Sequence, residues 1–209
     1  MNKVFQKYAG IYSALSQYWA TYGAFRELCM SPFAHVALVV TLICFPIWWA
    51  GQWWATSLTV VPSVLGFSIA AFALLLGVGD DRFKQLLGRD KKNGKSSTLK
   101  NTSAGFMHFI VVQVLAIIFA LVGSAQPIMK LLSFFPSFDH ASSFAYFLGG
   151  LSKTFRFVGF FLLAYSLLTA LAATLNIFTL ATLFSKYASK GSLPKPQDEK
   201  KGKKGDGGN

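Results

Sequence analysis

Charge is what this sequence has least of. Only 13% of its 209 residues are Asp, Glu, Lys or Arg, against about 25% in soluble domains. No charged side chain falls in the 52 residues from Leu28 to Gly79, and further charge-free runs cover Asn101 to Met129 and Phe157 to Ser185. Runs of that length exclude an ordinary soluble globule. A spanning helix needs about 20 apolar residues, so the first run holds two spans and the others one each. With 53% hydrophobic residues and a mean hydropathy of +0.46, the chain reads as an all-α integral membrane protein with four transmembrane helices.

Other absences narrow the chemistry. The two cysteines, Cys29 and Cys44, give no disulfide framework and read as reduced packing residues. There is no H-E-x-x-H, no G-x-S-x-G, no Walker loop and no dinucleotide fingerprint, so neither an enzyme nor a cofactor is expected. Proton relays and transport sites keep ionisable groups within the hydrocarbon. Here Asp80 and Asp81 stop at the end of a span, beside Arg82. His35 and His108 lie a turn or two inside their spans with no Cys, Asp or Glu at ligand spacing; they read as hydrogen-bonded packing residues rather than metal ligands. Residues 1–30 lack a continuous apolar core followed by a cleavage pattern, so no cleavable signal is expected and the first span serves as the insertion signal.

What is present sets the limits of the spans. Span one covers 32–51, with Pro32 in its first turn. It ends in "WWAGQWW", where Trp48, Trp49, Trp53 and Trp54 are expected as interfacial anchors. Span two covers 58–79, span three 104–125 and span four 155–185. An N-terminal cytoplasm puts 17 of the 20 basic residues inside and leaves Lys130, Lys153 and Arg156 outside. That bias predicts an inner-membrane protein with both termini cytoplasmic. The net charge of +12 is then explained without nucleic acid. Arg82, Lys84, Arg89, Lys91, Lys92, Lys95 and Lys100 would face anionic inner-leaflet lipid or a cytoplasmic partner. The Gly-, Pro- and Lys-rich tail 188–209 reads as disordered and basic.

Residues 1–30 carry Val4, Tyr8, Ile11, Leu15, Tyr18, Tyr22 and Phe25 at alternating spacings of four and three. That is an amphipathic, aromatic helix. Either it lies in the inner-leaflet interface, or it packs against neighbouring subunits or a cytoplasmic mouth.

Three spans also carry faces of small or mildly polar residues. Gly66, Ala70, Ala73 and Gly77 align on span two, a pattern by which membrane helices approach closely. Gly105, His108, Val112, Ala116, Ala120 and Gly123 align on span three, with Gln113 beside them. On span four Ser166, Thr169, Ala173 and Asn176 share an arc. Asn176, expected at mid-depth, wants a partner. Such an arc around a symmetry axis could line a pore, or its Asn could join helices. Three such faces exceed the needs of one thin bundle, so a homo-oligomer is expected. The external segment Lys130 to Lys153 carries five Phe, one Tyr and a Gly149-Gly150 pair. It is expected to dip into the outer interface or to re-enter the membrane.

The order of features resembles that of RexB-type phage-exclusion membrane proteins. A span followed by a charged inner loop, "PSVLGFSIAAFALLLGVGDDRFKQLLGRD", precedes "AGFMHFIVVQVLAIIFALVGS" and a long Ser/Thr-bearing last span with a charged tail. The likeness is one of layout, over residues 32–187; the aromatic N-terminal helix, the longer external loop and the Lys-rich tail depart from it. It implies an inner-membrane protein of a phage-defence system that lets ions leak when a cytoplasmic partner triggers it. The expectation is therefore a homo-oligomeric channel or membrane-perturbing effector. The alternative is a non-conducting sensor or scaffold that recruits a soluble partner through the basic inner loop and tail.

Overall fold

The computed structural model of the chain describes residues 3–77, 88, 97–126 and 143–191. Most of the basic inner loop, Asp80 and Asp81, the external residues 127–142 and the tail from 192 lie outside the described residues. The elements are α1 (Lys3–Tyr22), α2 (Ala24–Met30), α3 (Pro32–Ile43), α4 (Phe45–Ala50), α5 (Trp53–Gly77), α6 (Thr98–Ala125) and α7 (Ser143–Gly191). There is no strand among the described residues. Three helices are long and apolar enough to cross a membrane: α5, α6 and, within α7, Tyr146–Ser189.

The first expected span, 32–51, is a broken helix. Pro46 has no N–H and its ring would strike the carbonyl four residues back, so the helix stops at Ile43 and restarts at Phe45. The break frees carbonyls. Cys44 N–H still reaches Val40 O at 2.9 Å, and Trp48 Nε1 donates to Thr41 O at 2.9 Å. Trp48 is thus a buried brace for the kink rather than an anchor at the lipid surface. The N-terminal helix is likewise interrupted, at Gly23, whose φ of +95° lies in the left-handed region that glycine adopts without a Cβ penalty.

The last helix runs further than its apolar core requires. α7 has 49 residues, about 73 Å at 1.5 Å per residue, against a hydrocarbon thickness of about 30 Å. Its first three turns are Ser143 to Lys153, the end of the segment expected to dip or re-enter; they continue the helix instead. Near that end, Lys153 Nζ sits 4.5 Å from the centre of the Trp49 ring, and Arg156 Nη1 donates to Trp49 O at 2.9 Å. Two of the three cations expected outside, Lys153 and Arg156, therefore hold the end of α4, where a carbonyl has run out of helix to bond.

Helices α5, α6 and α7 form the core, with α3 on α7 and α1 on α6. Phe72 lies 6.0 Å from Phe106, centroid to centroid, and Trp53 packs beside Gly123. α5 and α6 are therefore antiparallel. Gly105 beside Asn176 and Gly123 beside Phe155 make α6 and α7 antiparallel too, and Trp48 on Phe157 with Ala37 near Tyr165 does the same for α3 and α7. The four apolar segments alternate in direction.

The inward face of α5 is Trp53, Ser57, Val61, Ser68, Ala71 and Leu75. Gly66, Ala70, Ala73 and Gly77 point the other way and are exposed; a Cβ placed on Gly66 or Gly77 would meet nothing within 4 Å. The face expected to pack is thus uncovered by the described residues. The close approach that needs glycine occurs elsewhere, where Gly159 of α7 lies against the indole of Trp53 so tightly that a Cβ would collide with the ring. Trp53, 1% exposed, is a core residue and not an anchor. Of the four tryptophans, Trp49 is exposed and Trp54 partly buried.

Candidate functional site

The stripe expected on span three is the buried face of α6: His108, Val112, Gln113, Ala116 and Ala120 all turn into the bundle. Its polar members meet partners from other helices, and those meetings define the site.

His108 is held on three sides. Tyr18 Oη lies 2.8 Å from Nδ1 and Tyr165 Oη 2.9 Å from Nε2, while the Tyr22 ring stacks on the imidazole with centroids 4.0 Å apart and an interplanar angle of 14°. In a neutral imidazole one ring nitrogen donates and the other accepts; each tyrosine hydroxyl can play the matching role. Two of these tyrosines come from α1, so the clasp is what fastens the N-terminal helix to the bundle. Elsewhere on α1 the described aromatic and apolar side chains include exposed ones: Tyr8 is 68% and Tyr12 76% exposed, and Leu15 is exposed as well. The side chains of Val4, Ile11 and Phe25 lie outside the described residues.

Burial in this clasp perturbs the two α1 tyrosines. Desolvation, reinforced by Tyr165, raises Tyr18 from 10 to about 12, and Tyr22 is raised first by desolvation, then by Tyr165 and by its neighbours Tyr18 and Glu27. A tyrosine whose folded value lies above its unfolded one stabilises docking fully below the unfolded value and loses that contribution as pH rises through the folded value. Docking of α1 is therefore expected to hold up to about pH 10 and to weaken as the pH rises towards 12. Tyrosinate absorbance followed against pH checks this: a Tyr18→Phe/Tyr22→Phe variant should lose absorbance from the late-titrating part of the curve, and a loss confined to the part near pH 10 would refute the clasp.

Beside the clasp, between the α2–α3 turn, α6 and α7, is a cavity of about 420 Å³, open at one side. Thr169 and Asn176 of the expected pore arc line it. Asn176 is level with Gly105, near the start of α6, and so lies towards one end of the bundle and not at mid-depth. Ser166, Thr169 and Ala173 are buried. The arc therefore faces the interior of its own bundle, where it is unavailable to a ring around a subunit axis. The Ser166 and Thr169 hydroxyls donate to carbonyls of their own helix, Leu163 O at 2.7 Å and Ser166 O at 2.8 Å, a bond that lets a hydroxyl sit in hydrocarbon.

Deeper in the bundle is a second polar level that the sequence reading missed. Gln113 Nε2 donates to Ser68 Oγ at 2.8 Å. The α6–α7 register, set by Gly105 with Asn176 and Gly123 with Phe155, places Ser166 at the same height. Each of the three core helices thus supplies one fully buried polar side chain. Gln113 Oε1 has no hydrogen-bond partner among the described residues. Further along, Val61, Ala116, Ala120, Phe160 and Leu163 close the interior with apolar side chains, beyond which Ser57 Oγ and Trp53 Nε1 are again buried without partners. Adjacent Ser and Gln at interior heights of two neighbouring helices would have been the signal, but Ser68 gave no reason to prefer its side of α5.

Lys100 alone of the basic inner-loop set lies among the described residues; it is exposed in the first turn of α6, and its backbone N–H is capped by Ser97 Oγ at 3.2 Å. His35 Nδ1 bonds Ser31 O at 2.9 Å. Among the described residues no three His, Cys, Asp or Glu side chains come together as a metal site. Compared with known protein families, with curated proteins and with solved structures, the chain matches none.

Proposed function

We propose that this protein is a homo-oligomeric inner-membrane channel or membrane-perturbing effector whose conduit runs inside each subunit's own bundle, closed in the present conformation and opened from the cytoplasmic side. The observation that carries the reading is the buried level of Ser68, Gln113 and Ser166, with an amide oxygen left unpartnered. A polar group in hydrocarbon without its hydrogen bond is costly, and polar side chains persist at such depth chiefly where they serve function. Ser166 of this level lies one turn along α7 from Thr169 of the cavity wall, and the apolar collar beyond it resembles a gate that excludes water. In this reading the kinked α3–α4 pair is the fourth span, both termini are cytoplasmic and the basic segments meet anionic lipid. The RexB-type layout supports a role in phage defence with a cytoplasmic trigger. α1, fastened through the His108 clasp and exposed at Tyr8, Tyr12 and Leu15, is the element such a trigger would move.

Ion flux into liposomes tests this. The Tyr18→Ala/Tyr22→Ala variant, with its clasp broken, is expected to leak more than the parent protein. The uncovered face of α5 supplies the subunit contact, so Gly66→Leu with Ala73→Leu should lower the subunit number in detergent without unfolding the bundle. An unchanged number would remove that face from any interface. A second reading, a sensor or scaffold without conduction, is favoured by the exposed Tyr8 and Tyr12 of α1; it takes over if vesicles stay sealed with both the parent and the clasp variant.

A further inference from the structure

The cavity beside the clasp differs in charge from the chain as a whole. The chain carries 20 basic and 8 acidic residues, yet no Lys or Arg is among the described residues lining the cavity, and its one charged side chain is Glu27. Four aromatic residues, Tyr22, Phe33, Phe109 and Tyr165, contribute to the walls. Ser31, Thr169 and Asn176 add oxygen acceptors, and the small residues Gly105 and Ala172 leave room between α6 and α7. A Cβ on Gly105 would meet only Asn176 Nδ2, at 4.0 Å. At about 420 Å³ the space falls within the range of small-ligand sites, about 300–1,000 Å³.

From this combination we infer that the cavity is a binding site for an alkylammonium group. An ammonium is attracted both by a carboxylate and by the negative faces of aromatic rings, while its N–H groups are satisfied by hydroxyl and amide oxygens. An anion would find no cation to pair with among these residues. A purely apolar ligand would strand the carboxylate and the amide. The ammonium has two natural sources, a soluble amine or the headgroup of an aminophospholipid, and the site's chemistry is common to both. Its position, at the bundle end where α3 and α6 begin, gives access from water and from the lipid headgroups alike.

The test uses the full-length protein in neutral detergent near pH 7, with benzylammonium as the probe and benzyl alcohol as its neutral counterpart, followed by saturation-transfer NMR and calorimetry. Benzylammonium is expected to bind at least about tenfold more tightly than the alcohol. Glu27→Gln should erase that preference while leaving the melting temperature unchanged, because Glu27 is exposed. Gly105→Leu, which fills the space, should remove binding of both compounds. If it fails to fold, the charge variant alone decides. Equal affinity for the two probes, or a Glu27→Gln protein that binds benzylammonium as the parent does, overturns the inference. Nanodiscs then separate the sources: weaker probe binding with phosphatidylethanolamine than with phosphatidylglycerol alone identifies the headgroup as occupant, and equal binding identifies a soluble amine.

Discussion

Replacing Gly159 by leucine is expected to unseat Trp53 and to destabilise the bundle by about 3 kcal/mol, the upper end of the usual overpacking range. The indole of Trp53 lies where the side chain of residue 159 would begin, and its other neighbours are Gly123, Phe155 and Phe160. The ring has no direction in which to yield. Lipid offers no hydrophobic drive to push helices together, so the many weak contacts of a buried ring are a principal source of cohesion between α5, α6 and α7. Glycine in a helix interior ordinarily costs about 1 kcal/mol relative to alanine, and here that cost is offset by the indole it admits. Thermal unfolding in detergent measures the effect. Trp53→Ala alone should also be severe, about 3–5 kcal/mol, but combined with Gly159→Leu it should cost less than the sum, because the leucine occupies vacated space. Strict additivity would mean that the two residues do not share one site.

On the proposed reading of an internal conduit, the second large effect is on ion flux. In a clasp-released background, Gln113→Leu is expected to lower ion flux by about tenfold or more, which corresponds to about 1.4 kcal/mol added to the barrier. The fold should survive. The substitution loses one interhelical hydrogen bond, worth about 0.6–2 kcal/mol in membranes, and also removes the unpartnered Oε1, so the two changes largely cancel. Flux that ignores Gln113→Leu while responding to changes on the outer face of α5 would move the conduit from within the subunit to between subunits. A drop in flux with unchanged melting and subunit number would tie conduction to the interior polar level.

The two effects share a cause. Both depend on which face of α5 turns inward, and that face was not legible in the chain. Span two is apolar all round, with small residues on both sides: Gly66, Ala70, Ala73 and Gly77 on one, Ser57, Ser68 and Ala71 on the other. In water the polar side would have turned outward. In lipid that preference vanishes, and close contact attracts either face. The selection is made by partners on other helices, Gln113 for Ser68 and Gly159 for Trp53, which no local pattern in span two encodes.

Much else could be read directly. Charge-free runs and their lengths predict four spanning helices; three of that length are present, while the first expected span is the shorter apolar helix Pro32–Ile43 followed by α4, and the small stripe of α6 was correctly placed as one face. That stripe was readable because it holds His108 and Gln113, and polar groups in an apolar helix have only one tolerable direction. The break in the first span was prepared by Pro46, but its brace, the Trp48 bond to Thr41, depends on a tryptophan turning inward when composition places it at an interface. The same holds for α1. Its aromatic stripe was visible, whereas the clasp on His108 joins residues 90 positions apart in sequence.

Composition and run length alone therefore set the helical class and the presence of long apolar helices, because each follows from the cost of placing polar groups in hydrocarbon along a single helix. Contacts between helices set which faces meet, that the Ser166–Asn176 arc turns into its own bundle, and that the described residues leave the small face of α5 uncovered. Those outcomes are set by fit and hydrogen bonding between helices, and both are properties of pairs of helices.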